Sequence, residues 1–153
     1  MANVYLEGMK AIHNGGDDLL TGTIRALLLT DGTVATFDET SSFVTQVLAE
    51  AGNTEATDAS YTGQGATGRL TLGTKSVNEA GGKIDFTAAK LTWTALDSFT
   101  VSAAVVFFFV SADSDSEAIS FHNFTDKAAN GSDFEVRWSG TDGNGIVFTV
   151  DNS

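Results

Sequence analysis

From residue 69 onward, apolar and polar residues alternate in short runs. Leu70 and Leu72 alternate with Arg69, Thr71 and Gly73, Ile84 and Phe86 with Lys83 and Asp85, and Leu91 and Trp93 with Lys90 and Thr92. Ile119 and Phe121 alternate with Ser120 and His122, Phe134, Val136 and Trp138 with Glu135 and Arg137, and Ile146, Phe148 and Val150 with Val147 and Thr149. A period of two belongs to strands with one face on a core, because successive side chains point to opposite faces. Earlier in the chain, Thr23 to Thr30 reads as a further strand closed by Asp31-Gly32. One run breaks the alternation. Thr100-Val101-Ser102-Ala103-Ala104-Val105-Val106-Phe107-Phe108-Phe109-Val110 is almost wholly apolar, which predicts a strand over 99–110 buried on both faces. It is too short for a membrane helix, which needs about 20 apolar residues. Such a strand needs cover on both sides, and the shorter alternating strands are expected to supply it.

Two stretches follow a helical period instead. Tyr5, Met9 and Ile12, with Leu6 beside them, predict a short helix capped by Asn3 and ended by Asn14-Gly15-Gly16. Phe43, Val44, Val47, Leu48 and Ala51 predict a second, preceded by Thr40-Ser41-Ser42 and stopped by Gly52. Residues 53–68 are rich in Gly and Thr, with Asn53 and Asp58 among them, and read as one long polar loop. Turn signals stand at Gly81-Gly82, Asp97-Ser98, Asn130-Gly131 and Asp142-Gly143-Asn144-Gly145. Many short strands divided by such turns predict a mainly β fold: an antiparallel β-sandwich or jelly roll with one or two short helices near the N-terminus. Residues 1–16 are expected to form a helical arm. Residues 17–153 are expected to form a single sandwich domain carrying the loop 53–68.

Composition narrows what this fold can do. At 153 residues the chain can bury a real core, and 42% of it is hydrophobic. It has no cysteine, which removes disulfides, thiolate metal sites and thiol catalysis together. It also has no proline, so its turns fall to Gly, Asn, Asp, Ser and Thr. Twenty acidic residues against eight basic ones give a net charge of −12. The basic residues Lys10, Arg25, Arg69, Lys75, Lys83, Lys90, Lys127 and Arg137 are scattered singly. Neither nucleic acid nor an anionic membrane is therefore an expected partner. The start Met-Ala-Asn-Val-Tyr-Leu-Glu-Gly lacks the basic region and apolar core of a secretory signal, so synthesis in the cytoplasm is expected.

Several segments invite a chemical reading. Gly63-Gln64-Gly65-Ala66-Thr67-Gly68 has dinucleotide-fingerprint spacing, but that motif works only after a strand and before a helix. Here a polar loop precedes it and an alternating strand follows. Asp113, Asp115 and Glu117 alternate with Ser114 and Ser116 in an acidic hairpin over 111–118. They lack the turn glycine and further ligands of a calcium loop. His13 and His122 are the only histidines, and no Gly-x-Ser-x-Gly elbow accompanies them. His122 is out of phase with Phe121 and is expected to face solvent or a neighbouring subunit. No pair among the twenty acids is singled out as a glycosidase pair. Trp93 and Trp138 suggest a sugar-stacking platform, yet each lies in phase with its strand's apolar face, so core packing is expected. No catalytic residue, cofactor or metal ligand is assigned, and the chain is not expected to be an enzyme.

The order of pieces resembles small virion structural proteins of tailed bacteriophages. The matching pieces are a short N-terminal helix, the strand Thr23–Thr30, the segment Phe43 to Ala51, Ser60-Tyr61-Thr62-Gly63 and Gly68-Arg69-Leu70-Thr71-Leu72. The run Ile84 to Ala95, the strand Phe99 to Phe109, Asp133 to Trp138 and Gly145 to Val150 complete the match. The resemblance is one of pattern over most of the chain and carries no functional residue over. It implies a capsid decoration (cement) protein on the outer head surface, bound to the major capsid protein and self-associating as a trimer or dimer. A tail or baseplate module, or a carbohydrate-binding sandwich, is the alternative. The arm 1–16 and the loop 53–68 are the expected contact segments.

Overall fold

The computed structural model describes residues 3–13, 18–30, 35–63, 68–139 and 144–151. In chain order the elements are β1 (Asn3–Val4), α1 (Leu6–His13), β2 (Ile24–Thr30), α2 (Val44–Ala49), β3 (Thr54–Glu55), β4 (Leu70–Thr71), β5 (Ser76–Ala80), β6 (Lys83–Ala89), β7 (Leu91–Phe108), β8 (Glu117–Val136) and β9 (Asn144–Asp151). The architecture is mainly β, antiparallel and sandwich-like. A large sheet runs β1-β8-β7-β2-β3, with β4 also on β2, and a small sheet runs β5-β6-β9.

The apolar run of β7 lies in the middle of the large sheet, between β2 and β8. Its residues Val101 to Phe107 are buried without interruption, so the sheet is covered on both faces. On one face Ile24, Ala26 and Leu28 of β2, Ala104 and Val106 of β7 and Ile119 of β8 pack with Leu72, Trp93, Phe86 and Phe148. On the other, Leu27, Leu29, Val105, Phe107 and Phe121 pack with Tyr5, Ala35, Val44 and Val47. Strands were expected to cover both sides. The small sheet covers the first face, but α2 and the irregular segment before it cover the second. A short helix with two apolar residues on one side, Val44 and Val47, closes that face as well as a strand would.

Two expected turns are not turns. Strand β7 continues through Asp97-Ser98, and β8 continues through Asn130-Gly131. Leu96 lies opposite Ser132 and Asp97 opposite Asn130, so Gly131 is the extra residue of a bulge. Its φ of +82° is one that glycine adopts freely, while Ala95, across the ladder, sits at +52°. Side chains take up the irregular backbone: the Ala95 and Asp97 N–H groups donate to Asp133 and Asp58, at 3.2 and 2.8 Å. The turn at Gly81-Gly82 is present, and both φ values are positive, as a tight hairpin between β5 and β6 requires. Strand β5 itself was not anticipated. The signals at Asn14-Gly15-Gly16, Asp31-Gly32, Gln64 to Thr67 and Asp142-Gly143 lie at least partly outside the described residues.

At the N-terminus, Asn3 is a strand residue paired with Phe121 and does not cap the helix. Tyr5 precedes α1 and is wholly buried. Helix α1 sits directly on β8, where a Cβ on Gly8 would fall 2.1 Å from the Ala118 carbonyl oxygen. At the second helix, the Gln46 Oε1 accepts from the N–H groups of Ser42 and Phe43, at 2.7 and 3.1 Å.

Candidate functional site

The acidic turn after β7 is tied inward. Its backbone caps α2: the Val44 and Thr45 N–H groups donate to the carbonyls of Ser116 and Asp113, at 3.0 and 3.1 Å. Those donors have no partner within the helix, so the turn supplies what a side-chain cap would otherwise provide. Within the turn, Asp115 accepts from the N–H groups of Ser111 and Ala112 at 3.1 and 2.8 Å and from the Ser111 hydroxyl. The hydroxyl first, and then these amides, hold its carboxyl below the ordinary range.

Asp113 meets Arg69. The Arg69 side chain is almost wholly buried, and its fork engages two carboxylates. Nε donates to Glu55 Oε1 at 2.7 Å, Nη2 to Asp113 Oδ2 at 3.0 Å and to Glu55 Oε2, and Nη1 to Asp113 Oδ1. Burial works against the guanidinium charge, but the bonds to Glu55 and Asp113 outweigh it and raise the pKa above its ordinary value. Tyr61 joins the cluster, donating to Glu55 at 3.2 Å and accepting the Leu28 N–H at 3.0 Å. Desolvation, then the Glu55 charge, push its phenol pKa up. Three distant pieces of chain are thereby clasped together: the 53–63 segment, the lead into β4 and the acidic turn. With Asp113 and Asp115 so engaged, no group of three His, Asp or Glu side chains is placed to hold a metal ion among the described residues.

The segments expected to reach outward are also anchored. In 53–63, Asn53 is buried and donates to the carbonyls of Thr36 and Val47, both at 2.8 Å. Ala56 and Tyr61 are wholly buried. The fingerprint-like Gly63 to Gly68 leads to Arg69 and β4, not into a helix.

Of the two surroundings expected for His122, solvent or a neighbouring subunit, the first does not hold, because the side chain is mostly buried. It is indeed out of phase with Phe121, but because the sheet is covered on both sides the opposite phase is interior too. The imidazole lies 4.9 Å from the Trp138 ring and 3.0 Å from the Ser120 hydroxyl. Burial lowers its pKa to about 4, so it is neutral near pH 7. His122, Phe124 and Trp138 line one side of a cleft of about 280 Å³ that β9 closes through Ile146 and Val147. Trp138 is 5% exposed and donates to the Ala89 carbonyl at 2.9 Å, and Trp93 is 1% exposed. Neither indole offers a face to a sugar, in agreement with the phase argument. The side chain of His13 lies outside the described residues.

The two ends of the small sheet differ. Along β6, burial falls from Ala88 and Phe86, both 0% exposed, to Ile84 at 45%. Val77 (41%) and Val150 (36%) share that face, since Val77 pairs with Phe86, and Ile84 with Val150. The core face of this sheet thus runs out past its cover into a patch of three aliphatic side chains. Searches against protein-family models, curated proteins and solved structures find no match to this chain.

Proposed function

We infer that the chain is a virion structural protein that decorates the outer surface of a phage head and bridges its capsomers, with the major capsid protein as partner. The observation that carries this reading is how the polar groups are used. Arg69, Glu55, Asp113, Asp115 and Tyr61 tie loops to the sheet, making a stiff block, while the open end of the small sheet offers apolar contact surface. Bridging needs a shape that keeps its form under load and is repeated in many copies, each contact adding to the others. The charge of −12 favours the exterior over a place among packaged DNA, whose phosphates it would repel.

The test is reconstitution. Purified protein added to undecorated heads should bind saturably, in hundreds of copies by quantitative gel, and raise the temperature at which the heads break. A handful of copies at one vertex, or attachment to tails alone, would transfer the assignment to a tail or baseplate module. Saturable binding on an array of glycans, with none to heads, would replace both with a carbohydrate-binding role.

A further inference from the structure

Strand β5 is the outer strand of the small sheet, and its far side has no strand partner among the described residues. It is short and polar, Ser-Val-Asn-Glu-Ala, preceded by Lys75. Short charged edges commonly prevent unwanted pairing. Here the same edge borders an apolar patch, because Val77, Ile84 and Val150 are 41, 45 and 36% exposed on the face that holds buried Phe86 and Phe148. A charged edge beside an uncovered apolar face suits selective pairing better than exclusion.

We propose that β5 is the contact strand of a two-fold dimer, pairing antiparallel with β5 of a second copy about Val77. In this register the charges of the edge complement those of a second copy. Val77 meets its own counterpart and Ser76 meets Asn78. Lys75 and Glu79 lie at equal distances on either side of Val77, so Lys75 of each copy meets Glu79 of the other. Opposite charges directly across a ladder stabilise it, and like charges destabilise it. A two-fold axis normal to the sheet keeps both apolar faces on one side. The row Phe148-Phe86-Val77 then continues into the same row of the second copy. Because β5 runs from the packed end of the sheet toward its uncovered end, antiparallel pairing sets each copy's uncovered end beside the other's packed end. Lys75 donates to the Gly22 carbonyl, which uses one of the three donors of its ammonium and leaves two for a carboxylate. The dimer is a property of the free chain and does not depend on the virion reading.

Sedimentation velocity of the full chain across the micromolar range should show a two-fold rise in mass. Glu79→Lys and Lys75→Glu should each be monomeric, through like charges at both ends of the contact. Mixed in equal amounts, they should regain a dimer, since one variant then brings only cations to the two ends of the contact and the other only anions. If Lys75→Glu misfolds on losing its tie to Gly22, as circular dichroism would reveal, Val77→Glu replaces it and should abolish the dimer, since it sets two like charges directly across the two-fold axis. A wild-type chain that stays monomeric throughout, or a dimer indifferent to either Glu79→Lys or Val77→Glu, overturns the proposal.

Discussion

The large and small sheets are built from similar alternating sequence, yet they are held very differently. The large sheet has cover on both faces, from the small sheet on one side and from α2 and Tyr5 on the other. The small sheet has one covered face, and even that face runs out before its strands do. Alternation shows that a strand has an apolar face; it does not show how far the cover over that face extends. Stability should therefore be concentrated in the large sheet and contact surface in the small one.

The sharpest test sets one residue from each region against the other. Phe107→Ala empties a packed site between two strands and should cost about 4 kcal/mol. Ile84→Ala, already half in solvent, should cost no more than about 0.5 kcal/mol. Equal losses in urea unfolding would erase the contrast. Next comes the clasp on the large sheet. Arg69→Met strands two carboxylates against apolar surface and should cost about 3 kcal/mol, because breaking a buried ion pair is worse than never having built one. Adding Glu55→Gln and Asp113→Asn should recover part of that loss, read from the same unfolding curves.

The third effect depends on pH. His122 titrates near 4 when folded and near its ordinary 6.5 when unfolded. Between those values the unfolded chain binds the extra proton, so stability rises with pH across that window and is lost as pH falls. The loss should reach about 2 kcal/mol at pH 5 and disappear from the difference curve in His122→Phe. The smallest effect is at Tyr5, whose hydroxyl is buried with no hydrogen-bond partner among the described residues. Tyr5→Phe should leave stability unchanged or raise it by up to about 1 kcal/mol, measured by thermal melting.

The fold class was legible because period-two runs and one unbroken apolar run each have a single physical meaning in a folded chain. The strand at Ile24–Thr30, the helix at Val44–Ala49 and the doubly buried β7 follow directly. Asp97-Ser98 and Asn130-Gly131 misled because a bulge and a turn need the same residues. The two signals lie opposite each other in the ladder, so they mark one bend in a long hairpin. Strand β5 was missed because Val77 is its single large apolar residue. His122 is more buried than a solvent-facing residue would be because alternation assigns two faces without saying whether both are covered. Arg69 as a hub was scarcely legible, since its partners lie 14 and 44 residues away. Its one local hint is a lone arginine before an alternating run in an acidic chain.

The hairpin of β7 and β8 also bears on how the chain assembles. Its closed end pairs Phe108 with Glu117, a short loop apart, whereas Ile24 must find Phe108 from the far side of the sequence. Closing a short loop sacrifices less chain entropy than closing a long one. The ribbon can therefore zip from its acidic turn before β2 arrives on one side, or β1 on the other.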